Sequence, residues 1–177
     1  MSIYTKWARQ KHSPATQIVA LILAGMLFLI LLPYVIIVGG QNVDRRLGLP
    51  GFDFGAINYL LGGLMLVLGM YFALWSILLQ ITRARGTPLP VLPTQELLVQ
   101  GPFRYCRNPM TFGTILAYLG LGVIAGTLAG IVFVLCFAAL LVLYIKLLEE
   151  KELAERFGEA YLQYRRETPF MIPRFRK

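Results

Sequence analysis

The chain has 177 residues, 57% hydrophobic and 15% charged, with 17 Lys and Arg against 9 Asp and Glu for a net charge of +8. A soluble domain carries about 25% charged residues, and here the apolar excess is gathered into three runs, 13–43, 54–82 and 108–145, that contain no Asp, Glu, Lys or Arg. Each run can cross a hydrocarbon core about 30 Å thick, which takes roughly 20 residues at 1.5 Å each. That excludes a soluble globular protein, a nucleic-acid-binding domain and a secreted disulfide scaffold, and it leaves an integral membrane protein.

The first predicted span covers 18–38, with Pro33 placed to kink it. It is too long for the apolar part of a cleavable signal and lacks a small-x-small exit. A Gly- and Pro-containing loop, 39–55, follows. The second span covers 57–81, and Gly62, Gly63 and Gly69 along it read as close helix packing in lipid. The run 108–145 is too long for one crossing, since a single helix would rise about 57 Å. Two short helices joined by a tight turn near Gly126-Thr127 fit better. Against that, Gly122, Gly126 and Gly130 would form one small-residue stripe on an unbroken helix. The expected fold is thus an all-α membrane protein of about four transmembrane helices, the last two a hairpin. A C-terminal amphipathic helix follows, with Leu153, Phe157, Ala160, Tyr161 and Tyr164 at helical spacing and Pro169 and Pro173 ending it. Two units are expected, an N-terminal transmembrane hairpin over 1–82 and a core over 83–177.

Charge sets the orientation. Lys6, Arg9 and Lys11 precede the first run, Arg83, Arg85, Arg104 and Arg107 lie between the second and third, and Lys146 opens a tail with seven further cations. Only Arg45 and Arg46 fall in the other connection, where Asp44 and Asp53 offset them. The positive-inside rule therefore places both termini and the 83–107 loop in the cytoplasm. Three prolines, Pro88, Pro90 and Pro93, keep that loop extended. The two cysteines, Cys106 and Cys136, sit in different environments, so a disulfide is not expected. Cys106 reads as a small filler rather than a nucleophile, for no His or acid lies near it in sequence. The one histidine, His12, is in the N-terminal tail, which disfavours histidine catalysis and histidine-ligated metal.

Chemistry concentrates at the membrane boundaries. Glu149 and Glu150 come directly after an apolar helix, where carboxylates are costly unless paired or used. The plain alternative is a solvated helical turn beside Lys146 and Lys151. Arg104 and Arg107 have the matching alternative of interface anchors.

These residues sit in a recognisable setting. The stretch Gly101-Pro-Phe-Arg-Tyr-Cys-Arg-Asn-Pro-Met-Thr-Phe-Gly113 resembles the G-x-Y-x-x-x-R-[HN]-P-x-Y-x-G signature of the isoprenylcysteine carboxyl methyltransferase and phospholipid methyltransferase families. Upstream Gly86-Thr-Pro-Leu-Pro90 and Leu97-Leu-Val-Gln-Gly101 are similar to the lead-in of bacterial members. Downstream Glu149-Glu150, Phe157-Gly-Glu-Ala-Tyr161 and Tyr164-Arg-Arg resemble the family's closing segment. The resemblance spans about 86–173, and the first two spans add nothing to it. It implies S-adenosylmethionine as cofactor, held on the cytoplasmic side by Gln95, Glu96, Leu97, Leu98, Gly101, Phe103, Asn108, Pro109, Glu149 and Glu150. Arg107, Asn108 and Glu150 are the candidate catalytic residues. It further implies a lipophilic methyl acceptor entering from the bilayer, membrane lipids as surroundings, neither metal nor nucleic acid as partner, and a bacterial inner-membrane location. Phe103, Asn108 and Thr111 depart from the Tyr, His and Tyr found in many members, so the isoprenylcysteine substrate does not transfer with the motif. Two other readings stay open. One is an NADPH-dependent membrane reductase of the steroid-reductase type, whose similar R-H-P-x-Y-x-G-E pattern has Glu where Thr114 stands here. The other is a non-catalytic membrane scaffold.

Overall fold

The computed structural model describes residues 14–83 and 96–174. All regular structure among those residues is helical, with no strand. Helix α1 covers 14–47, α2 is Ala56–Thr82, α3 is Pro109–Ile124, α4 is Leu128–Phe157 and α5 is Glu159–Glu167. Three stretches, Ile22–Leu47, Ala56–Thr82 and Leu128–Phe157, are long and apolar enough to cross a membrane. The α3 helix has 16 residues, a rise of about 24 Å, so it is shorter than the hydrocarbon core.

The expected hairpin is present. Gly126, at φ +61°, takes the left-handed conformation that turns the chain between α3 and α4. The turn is fastened to the far end of the bundle: Gln41 Nε2 donates to Ala125 O (3.1 Å), and the Phe52 amide to Gly126 O (3.3 Å). Buried Asn58 donates to Phe52 O and Val123 O and accepts from the Phe54 amide. So the short α3 is anchored at this end of the bundle. The three glycines at 122, 126 and 130 are split across the turn rather than aligned on one helix.

Helices α2 and α3 touch backbone to backbone. A Cβ at Gly62 would lie 2.6 Å from Gly120 O, and one at Gly69 would lie 2.4 Å from the Ala117 amide nitrogen. The packing expected of Gly62 and Gly69 is therefore present. Gly63 is a correction, since a Cβ there would meet nothing within 4 Å.

Two boundaries also differ from expectation. The loop expected to begin at Gly39 starts only at Gly48, where φ of +62° ends the helix. The chain stays helical through Gly40 because α4 presses on it: a Cβ there would lie 2.6 Å from Thr127 Oγ1. Beyond it, the buried Asp44 carboxylate accepts from the Ala129 amide (2.9 Å), and Thr127 Oγ1 accepts from Gly130 (3.1 Å). Together they satisfy two of the free amides at the start of α4. Asp44 is thus a cap from another helix as well as a negative charge in the count of that connection. The second difference is at Gly158, whose φ of +56° breaks the expected single C-terminal helix into the end of α4 and α5. Tyr161 and Tyr164 are buried as the pattern predicts, while Ala160 is exposed.

Pro33 interrupts α1 without ending it. The stretches Leu27–Leu31 and Val35–Gly39 on either side are π-helical. In a π register the Phe28 carbonyl would pair with the nitrogen five residues on, which is Pro33 and carries no hydrogen. The Tyr118 hydroxyl of α3 donates to that carbonyl instead, at 2.7 Å.

Candidate functional site

The antiparallel α2–α3 contact sets the depth of the site. Gly62 opposes Gly120 and Gly69 opposes Gly113 and Ala117, so the first residue of α3 lies near the level of Trp75. The α2 helix continues about seven residues further, or roughly 10 Å. The segment 101–108 occupies that recess. Gly101, at φ +59°, seats it against α2, where a Cβ would lie 2.4 Å from Leu79 Cδ1 and 3.4 Å from Trp75. A short 3₁₀ turn, Gly101–Arg104, buries Pro102 and Phe103.

Arg107 is the hub. Its guanidinium is ion-paired with the Glu150 carboxylate, 43 residues away, and both side chains are nearly buried. Arg107 Nε donates to Thr168 O (3.1 Å), its backbone amide donates to Pro169 O (2.9 Å), and the guanidinium lies 5.5 Å from the Phe170 ring centre. Lys146 Nζ is 5.0 Å from the same ring. Next to it, Asn108 Nδ2 donates to Phe170 O (2.8 Å). Tyr164 donates its hydroxyl hydrogen to Phe103 O (2.6 Å), and the Arg174 amide donates to Tyr105 O (3.0 Å). The stretch after α5 thus forms a strap, 168–174, bonded to Tyr105, Arg107 and Asn108, while Tyr164 of α5 holds Phe103.

The structure therefore brings together Phe103, Arg107, Asn108 and Glu150 from the expected set. Pro109 is buried as the first residue of α3, and Asn108 stands at the N-cap without using its side chain to cap. The acidic pair is divided: Glu150 holds Arg107, while Glu149, half-buried at the end of the π-turn Ile145–Glu149, forms no ion pair among the described residues. Leu97 and Leu98 are half-buried and Glu96 is exposed. Gln95 lies outside the described residues. What sequence reasoning missed is the strap. Thr168, Pro169 and Phe170 act through backbone carbonyls, which no residue pattern announces, and only the prolines marking the end of α5 hinted at extended chain there.

Beside the strap is an open cleft of about 640 Å³, lined by Leu97, Val99, Arg104, Tyr105, Gln163, Tyr164, Glu167, Thr168, Pro169 and Arg174 among others. Its volume falls in the range of small-molecule sites, roughly 300–1,000 Å³. Thr168 and Pro169 belong both to this wall and to the Arg107 contacts, so the strap lies between cleft and hub.

Cys106 is fully buried beneath this segment, and burial raises its thiol from the ordinary 9.0 to about 11, only partly offset by the Asn108 amide. Burial also raises the Tyr161 and Tyr164 phenols. A thiol this reluctant to ionise is a poor nucleophile, in line with the filler reading. Iodoacetamide at pH 8 is expected to leave Cys106 unmodified until the protein is denatured, as peptide mass mapping would show. Because the folded value is raised, the stabilisation it reflects is intact below pH 9 and is lost toward pH 11. Cys106→Ala should remove that part of the alkaline fall in Tm, and an unchanged fall would assign it to the tyrosines.

A polytopic helical membrane protein with a polar cluster recessed at one end of the bundle is the class that fold and site define. The phospholipid methyltransferase family model matches residues 57–160, and the chain belongs to that family. The match takes in α2, so the second span is part of the family unit and not an addition to it. No curated protein and no solved structure matches the chain.

Proposed function

We propose that the protein transfers a methyl group from S-adenosylmethionine to a lipophilic acceptor drawn from the bilayer. The observation that carries this reading is the meeting of Arg107, Asn108 and Glu150 at the strap that also walls one cleft, in a phospholipid methyltransferase family. The cleft suits the cofactor chemically: Leu97, Val99 and Tyr105 offer a wall for adenine, Gln163 and Glu167 accept from hydroxyl or ammonium groups, and Arg104 and Arg174 match a carboxylate. Glu96, Leu98, Gly101, Phe103, Asn108 and Pro109 complete the proposed shell, to which the sequence motif adds Gln95. Glu150 acts by holding Arg107, which leaves Glu149 as the carboxylate free to accept from the ligands. When bound, S-adenosylmethionine supplies an electrophilic methyl group.

Displacement at that carbon asks the protein for alignment and exclusion of water, more than for an acid or base. The strap and the recess serve both ends. With Arg107 and Asn108 set about 10 Å inside the end of α2, a lipid head need not leave the membrane to reach them. The charge census supports a cytoplasmic placement of this end, with both termini on the same side.

The test is incorporation of labelled methyl from S-adenosylmethionine into a total membrane lipid extract, with calorimetric titration of the cofactor. Asn108→His keeps an N–H donor for Phe170 O and should retain cofactor affinity. Asn108→Leu removes that donor and should weaken binding about tenfold or more, the equivalent of about 1.4 kcal/mol. Absence of both binding and transfer in the wild type would sink the reading, and binding of NADPH in its place would assign a reductase.

A further inference from the structure

Among the described residues one buried side-chain atom lacks a hydrogen-bond partner, and it is Gln80 Oε1 near the end of α2. An acceptor withheld from water and given no donor costs about 1–3 kcal/mol, and native structures leave few. Its neighbours avoid that cost locally. Ser76 donates to Phe72 O at 2.6 Å and Thr82 to Leu78 O at 2.7 Å, each one turn back along the same helix.

Gln80 also lies in a telling place. It continues the α2 stripe of Gly69, Ala73 and Ser76, all buried. The register that sets Gly62 against Gly120 and Gly69 against Gly113 carries Gln80 to the level of the 101–106 segment, where its neighbour Leu79 meets Gly101. It is not part of the cleft wall formed by 97–105 and the strap. The residue as a whole is only half-buried, so rotation of the amide can present the oxygen to a ligand. A polar amide on a span, beside the 101–106 segment and outside the cleft wall, is placed to meet a molecule that comes from the bilayer.

We infer that Gln80 is a positioning residue for the methyl acceptor, its Oε1 accepting a hydrogen bond from an N–H or O–H in the acceptor's polar head. This rests on the proposed methyl transfer for its ligand, and it adds a residue outside the family signature. The acceptor is therefore a lipid whose head carries a hydrogen-bond donor close to the methylated atom.

The signature to seek is a change of opposite sign in stability and in lipid handling. Gln80→Met fills the same volume without an unpaired acceptor, so the ligand-free Tm should hold or rise. The Michaelis constant for total membrane lipid extract in mixed micelles should rise about tenfold or more, with the S-adenosylmethionine dissociation constant unchanged. Gln80→Glu keeps the acceptor and should stay within a few-fold of wild type, which covers the case of a poorly folding Met variant. Weakened cofactor binding with unaltered lipid dependence would overturn the inference by assigning Gln80 to the methyl donor. So would unaltered kinetics of both substrates in Gln80→Met, which would leave the amide a mere stability defect. If the wild type transfers no methyl group, the proposed function falls, and native mass spectrometry of lipid retained from the same extract decides on Gln80. Retention by wild type and loss in Gln80→Met supports it; equal retention, or none in either protein, overturns it.

Discussion

Gly69→Ala is expected to be the most damaging single-methyl change in the bundle. The added carbon would sit 2.4 Å from the Ala117 amide nitrogen and 2.5 Å from Gly113 O. Overpacking ordinarily costs about 1–3 kcal/mol because side chains can turn aside. Here the obstruction is backbone on a rigid helix, so α2 and α3 must separate, and the cost should reach or exceed the top of that range. Separation would also lift the 101–108 segment off Trp75 and Leu79, so the site is lost with the fold. Gly63→Ala is the control one helical position from Gly62. It meets nothing within 4 Å and exchanges glycine for the best helix former, a gain of up to about 1 kcal/mol. Thermal unfolding in detergent of the two variants beside wild type tests the contrast. Equal effects would mean that the helices are not held at these glycines.

That contrast marks where sequence reading reaches its limit. Charge-free runs and the 38-residue length of 108–145 were enough to place the spans and the hairpin, because hydrocarbon thickness leaves little choice. Which glycines face a neighbour depends on helix rotation, and a run apolar all round carries no phase to read. The helix ends failed for a related reason. Gly39 and Gly40 look like breakers, yet Gly40 is small because α4 lies against it, and Asp44, read as a counter-charge, also caps Ala129. Both roles belong to contacts some 85 residues away in sequence.

The polar cluster of the candidate site was legible in outline for the opposite reason. Charged residues such as Arg107 and Glu150 are costly at a membrane boundary, and with Asn108 they fall in the motif that resembles the methyltransferase signature. Their division of labour was not legible. Nothing in Glu149-Glu150 says which carboxylate meets Arg107, since the answer lies in the π-turn Ile145–Glu149, which shifts the helical phase just before Glu150. Likewise Asn108 has the sequence of an N-cap, Asn before Pro, and holds that position while giving its amide to the strap.

The Arg107–Glu150 pair is where stability and chemistry are expected to separate. At 12% and 11% side-chain exposure it is far from the surface pairs that contribute roughly 0–1 kcal/mol. Removing one partner strands the other charge, and Arg107→Met or Glu150→Met should each cost about 3–5 kcal/mol. Part of that loss is the tail's, since Arg107 also donates through Nε to Thr168 O and lies on the Phe170 ring. The double variant leaves no uncompensated charge, and replacement of a buried pair by apolar residues is often close to neutral. Its Tm should therefore recover most of the way toward wild type. Methyl transfer should not recover, because an apolar pair can fill the space without orienting a ligand or tying the strap to the motif. Tm and transfer rate measured on the four proteins of this cycle give two coupling energies that need not agree. Recovery of both together would make the pair structural alone. Single variants that lose less than 1 kcal/mol would show that water reaches the pair and that it behaves as a surface contact.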